Sequence, residues 1–68
     1  MKTTFGERLR ELRQVKDVGQ VELAVKINVS KGTISLWENN LREPTMSNLV
    51  ALADFFEVTL DYLAGREQ

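Results

Sequence analysis

Gln20-Val21-Glu22-Leu23-Ala24-Val25-Lys26-Ile27, then Asn28-Val29-Ser30, then Lys31-Gly32-Thr33-Ile34-Ser35-Leu36-Trp37-Glu38-Asn39 is the stretch whose reading decides the fold. In the first segment Leu23, Ala24 and Ile27 share one face, and Glu22 precedes Lys26 by four residues, the favourable order for an ion pair along a helix. Ser30 is a helix cap whose hydroxyl can accept from the Thr33 amide, so a second helix starts at Lys31. Only about three residues separate the two helices, which makes them cross steeply and leaves the second one projecting. Ile34, Trp37 and Leu41 recur at i, i+3 and i+7 and should anchor it. Gly32, Ser35, Leu36 and Asn39 are then expected to face away from the core, with Lys31 on the flank.

Outward from this pair the chain reads as helix throughout. Thr4 with Glu7 three residues later is a capping box, and Phe5, Leu9 and Leu12 follow at i, i+4 and i+7. Asn40 to Pro44 reads as a loop, because proline disfavours helix before it and Asn40 tolerates the left-handed conformation. Thr45 caps a helix whose apolar positions, Met46, Leu49, Val50, Leu52, Ala53 and Phe56, spread too widely for one buried face, so it is expected at the centre. Thr59 starts a short last helix with Leu60 and Leu63 inward, and Gly65 ends it in the left-handed region. The expected fold class is all-α: a compact five-helix bundle, one domain over residues 1–68, with helices at about 5–16, 20–27, 31–39, 46–56 and 60–64.

Composition narrows the function. The chain has 68 residues, enough for one small core, and neither cysteine nor histidine. No disulfide framework, metal site or cofactor is expected, and the commonest acid-base residue is missing. The carboxylates lie at charge-pair spacing on helix faces, no glycine-rich phosphate loop occurs, and short helices leave little room for a pocket. An enzyme is therefore not expected. No apolar run is long enough to span a bilayer, and Met1 to Thr4 is too short and polar for a signal peptide, so a cytoplasmic location is expected. The net charge is -1, but it is unevenly spread: residues 1–42 carry +3 and the remainder -4. A polyanion would meet the first three-fifths of the chain.

A helix held by one apolar stripe, with its other face in solvent, is the right size for a DNA major groove. At this point Phe5-Gly6-Glu7-Arg8-Leu9-Arg10-Glu11-Leu12-Arg13, Gln20 with Glu22-Leu23-Ala24, Val29-Ser30, Thr33-Ile34-Ser35, Trp37-Glu38, Leu52-Ala53-Asp54-Phe55-Phe56 with Val58, and Leu60-Asp61-Tyr62-Leu63 carry a resemblance. Together they resemble the helix-turn-helix family of phage repressors, Cro proteins and related bacterial regulators, over nearly the whole chain. The resemblance implies a lambda-repressor-like fold in a bacterial or phage-encoded protein. It also implies sequence-specific binding of double-stranded DNA for transcription regulation, repression above all, by a homodimer on a two-fold operator.

Residue by residue, the resemblance implies base contacts from Lys31, Gly32, Ser35 and Leu36, and phosphate contacts from Gln20, Ser30, Thr33, Asn39 and Arg42. It pairs Arg13 with Glu38 as a structural ion pair. Gln20 has the alternative of being only a tolerated first-turn residue. Relatives commonly carry longer polar side chains where Gly32 and Leu36 stand, so hydrogen bonding falls to Lys31 and Ser35. Leu36 has three readings: contact with a thymine methyl, contact with another protein, or none. Asp17, Asn28, Asn40 and Glu57 stand where relatives often have glycine, and Gly19 where they have a capping hydroxyl. Val50, Phe55 and Tyr62 either form a dimer surface or close the core. The competing functional reading is a protein-interaction module, an antitoxin or adaptor, on the same fold.

Overall fold

The computed structural model describes residues 3–66, and these form five helices in order: α1 Phe5–Val15, α2 Gln20–Ile27, α3 Lys31–Glu38, α4 Met46–Phe56 and α5 Leu60–Leu63. Lys2 and Glu67, which enter the charge balance, lie outside the described residues, as does the start of the Met1 to Thr4 segment. Three helices stop one residue short of the sequence expectation because Lys16, Asn39 and Ala64 serve as C-terminal caps. None of the helices among the described residues is long and apolar enough to cross a membrane.

The starts follow from side-chain oxygens that satisfy otherwise orphaned amides. Thr4 Oγ1 accepts from the Glu7 amide at 3.1 Å while the Thr4 amide donates to Glu7 Oε1 at 3.0 Å, which completes the capping box. Ser30, Thr45 and Thr59 accept from the amides of Thr33, Asn48 and Tyr62 in the same way. Gly19, with no side chain, gives α2 no such bond.

The turns between helices place Asp17, Asn28, Asn40 and Glu57 at φ of 56°, 62°, 58° and 57°, and Gly65 at 81°. Asp17, Asn28, Asn40 and Glu57 are thus the non-glycine residues that adopt the left-handed conformation among the described residues. Glu57 alone among them lacks the short polar side chain that eases this conformation, at a cost of about 1 kcal/mol. Glu57→Gly is accordingly expected to raise the melting temperature, by about 4–8 °C if the whole penalty is recovered. A thermal melt in which the variant unfolds below the parent would show that this turn holds no strain.

Leu9, Leu12, Leu23, Ala24, Ile34, Trp37, Leu52, Ala53, Phe56 and Leu63 form the core. The helices close a ring around it, since α1 packs on α3, α3 on α2, α2 on α4, α4 on α5 and α5 on α1. This corrects the expectation for α4, which is one member of the ring and not its centre: Met46 is 68% exposed and Val50 is also exposed. Leu41, expected on the anchoring stripe of α3, is 73% exposed. The helix has ended at Glu38, and the left-handed Asn40 turns the chain away before the seven-residue spacing can return Leu41 to the core. Glu22 and Lys26 make no ion pair; both side chains are exposed, where such a pair gains little.

Candidate nucleic-acid interface

α3 is fixed along its inner side and open along its outer one. Ile34, Trp37 and Glu38 are buried, and Lys31, Gly32 and Asn39 are exposed. Ser35 and Leu36, expected clear of the core, are half-buried on the shoulders of the helix. The two residues lie between the buried Ile34 and Trp37 in the chain, so each is partly covered. Ser35 and Leu36 therefore present only part of each side chain. Arg42 follows in the exposed loop.

The anchor beneath this helix is a charge network that the sequence showed only in part. Glu38, with its side chain 1% exposed, receives Arg13 Nε at 2.7 Å and Arg13 Nη2 at 3.2 Å on its two oxygens. Such two-pronged pairing is the strong form of the arginine–carboxylate contact. Arg13 Nη1 also donates to the Val18 carbonyl at 3.1 Å, which ties the α1–α2 turn to the same group. Gln20 Nε2 donates to Glu38 Oε1 at 3.0 Å, and Arg10 Nε lies 3.6 Å from that oxygen. Burial by itself would push the Glu38 carboxyl up. The bonds from Arg13 and Gln20, with the charges of Arg13 and Arg10, outweigh it and hold the carboxyl below the ordinary value. The bond to Glu38 raises the Arg13 guanidinium in turn. One carboxylate thus fastens α1, α2 and α3 together.

A second fastening went unread in the sequence. The Gly6 amide donates to Asn40 Oδ1 at 3.1 Å, and Asn40 Nδ2 donates to Thr4 Oγ1 at 3.0 Å. A Cβ at Gly6 would stand 2.5 Å from the Trp37 carbonyl oxygen and 2.7 Å from that of Glu38, so the start of α1 lies directly against the end of α3. At the opposite end of α3, Ser30 Oγ and Thr33 Oγ1 share a hydrogen bond of 2.9 Å. Phe55 and Tyr62 pack against the core, with the Arg8 guanidinium 3.9 Å from the Tyr62 ring centre, while Val50 and Leu60 remain exposed.

Two short helices across a three-residue turn, the second locked from behind and open in front, define a helix-turn-helix domain. The chain belongs to the helix-turn-helix family, whose sequence model matches residues 9–63. It is similar to the HTH-type transcriptional activator BcrR of Enterococcus faecalis, 39% identical over 64 residues, which are 94% of this chain and 31% of that protein. It is also similar to the HTH-type transcriptional regulator ImmR of Bacillus subtilis, 34% identical over 65 residues, 96% of this chain and 51% of that one. Among solved structures, the P22 c2 repressor in complex with a synthetic operator superposes with a TM-score of 0.90 at 34% identity, covering 96% of this chain and 98% of the other. The chain spans between about a third and a half of the length of these two regulators.

Proposed function

We propose that this chain is the DNA-binding domain of a transcription regulator, which lays α3 in the major groove of double-stranded DNA and represses by occupying its operator. The observation that carries the reading is the two-sidedness of α3, whose inner residues are buried and fastened through Glu38 while Lys31, Gly32 and Asn39 stand in solvent. The superposition on a repressor solved with its operator supports it. Lys31 and Ser35 supply hydrogen bonds to base edges, the bare backbone at Gly32 allows close approach, and the exposed part of Leu36 offers apolar contact. Gln20 keeps a second amide hydrogen for phosphate after serving Glu38, and either Ser30 or Thr33 keeps a free hydroxyl hydrogen after their mutual bond. Arg42 extends the phosphate track, and Asn39, whose amide is engaged by Ser35 and Arg10, would have to release Ser35 to join it.

Two copies on a two-fold site would double a small set of base contacts, with Val50 and Leu60 among the exposed apolar residues of α4 and α5. The location consistent with this role is the cytoplasm. No step of the function is catalytic.

The test is selection of duplexes from a random pool, followed by a salt titration on the winner. Affinity should fall steeply with salt. Arg42→Ala should weaken all sequences alike and lower the salt slope by about 1, whereas Lys31→Ala should relax the preference at one base pair, worth about 1–3 kcal/mol. Absence of measurable binding at low salt would leave the protein-interaction module, which the exposed Val21, Val25, Leu41 and Met46 favour.

A further inference from the structure

Ser35 carries a hydroxyl one turn into α3, beyond the Ser30–Thr33 bond at the helix start. Serine inside a helix commonly returns its proton to a carbonyl of the preceding turn. Ser35 makes no such bond among the described residues. A donor reaches it instead: Asn39 Nδ2 lies 3.5 Å from Ser35 Oγ, and the same amide nitrogen donates to the Ser35 carbonyl at 2.9 Å.

The orientation of the Asn39 amide is fixed from both ends. Its Oδ1 accepts from Arg10 Nη2 at 3.3 Å, and Arg10 is itself held near Glu38. Rotating the amide by half a turn would set its NH2 against the guanidinium and its oxygen against the Ser35 carbonyl. Both contacts would then be repulsive. With Asn39 near one lone pair and no protein acceptor for its hydrogen among the described residues, the Ser35 hydroxyl is left with a free proton and one open lone pair.

Resting on the DNA-binding reading above, we infer that Asn39, held by Arg10, makes Ser35 a hydrogen-bond donor toward DNA and so sets which base edge this face selects. Lys31 is a donor only, Gly32 offers no side-chain polar group, and Leu36 is apolar, so the whole face offers donors and apolar surface. In the major groove guanine presents two acceptors and cytosine presents only an amino donor. Guanine is therefore favoured over cytosine at the base read by Ser35, since cytosine can use only the one lone pair that Asn39 leaves open. Asn39 is a positioning residue, acting on the base through Ser35.

The experiment places each of the four base pairs in turn at every position of the selected duplex and measures binding by the parent, Ser35→Ala, Asn39→Asp and Asn39→Ala. Ser35→Ala should flatten the preference at one position and so identify it. There the parent should favour guanine over cytosine by about tenfold, a discrimination within reach of a single good contact. Asn39→Asp, its carboxylate displaced from the Ser35 carbonyl toward the hydroxyl, puts an acceptor beside the hydroxyl and should reverse the order, while Asn39→Ala should reduce it. The added charge of Asn39→Asp lowers affinity for every duplex, so the ratio between duplexes is the readout. If Ser35→Ala flattens no position, if the parent prefers cytosine there, or if Asn39→Asp leaves the order unchanged, this inference is overturned while DNA binding stands. If the parent selects no duplex, both fall.

Discussion

Arg13→Ala is expected to cost about 3 kcal/mol of stability, the lower end of what removing one partner of a buried ion pair costs. The magnitude follows from what is left behind. Glu38 remains with its side chain 1% exposed, while Arg13 is 17% exposed and the smaller loss in its own right. Gln20 still donates to the stranded carboxylate and Arg10 still lies 3.6 Å away, and these keep the cost from the upper end of the range. For a domain of 68 residues, whose whole stability is about 3–10 kcal/mol, that is a third or more of the total. The loss should also depend on pH. In the parent the folded carboxyl lies below its ordinary value of 4.5, so its contribution is present above that value and lost as pH falls through the lower, folded one. Without Arg13, burial dominates and the protonated carboxyl becomes the better guest in the fold. The gap between variant and parent should therefore be widest at neutral pH and narrow in acid. Denaturant melts at several pH values measure it, and a gap that stays constant would mean that Glu38 is not the group left unpaired. Replacing Arg13 and Glu38 together by Met and Leu should recover much of the loss, because no buried charge then lacks a partner.

What could be read from the sequence depended on the range of the interaction. Helix starts rest on one side chain meeting an amide two or three residues ahead, so Thr4, Ser30, Thr45 and Thr59 announced them locally. The ends were legible within a residue for the same reason. Arg13 and Glu38 are 25 residues apart, and nothing in their spacing joins them; the likeness to a family did so. The further members, Arg10 and Gln20, were not foreseen as partners of Glu38, although Arg10 sits one turn before Arg13 on the same side of α1. The Gly6–Asn40 contact was invisible, because a glycine near a helix start and an asparagine in a turn each had a sufficient local reason to be there. Leu41, Met46 and Val50 failed in a different way. Periodicity says which residues share a face, but not where the helix stops or whether a neighbour covers that face. The link from Asn39 to Ser35 is local, at i and i+4, yet its functional content comes from Arg10, which only the folded chain brings near.

Trp37→Ala should be the most damaging change in the core, at about 3–5 kcal/mol. The indole is 1% exposed, lies beneath α3 and meets the Phe5 ring edge-on at 6.2 Å between centroids. Its removal opens a void between α1 and α3 where the Gly6 approach leaves the backbones little freedom to collapse inward. Against a total of about 3–10 kcal/mol, such a loss leaves much of the population unfolded. Trp37→Phe tests whether the damage comes from volume or from the lost indole group. Trp37 Nε1 is buried with no hydrogen-bond partner among the described residues, so phenylalanine gives up volume but also removes an unsatisfied donor, worth about 1–3 kcal/mol. Trp37→Phe should thus fold and retain DNA binding with a modest drop in melting temperature, while Trp37→Ala should lose its helical circular dichroism and its binding together. An alanine variant that melts close to the parent would mean that α3 is held mainly by the Glu38 network. The two anchors would then differ in weight: apolar packing would set where α3 lies, and the ion pair how firmly it stays there.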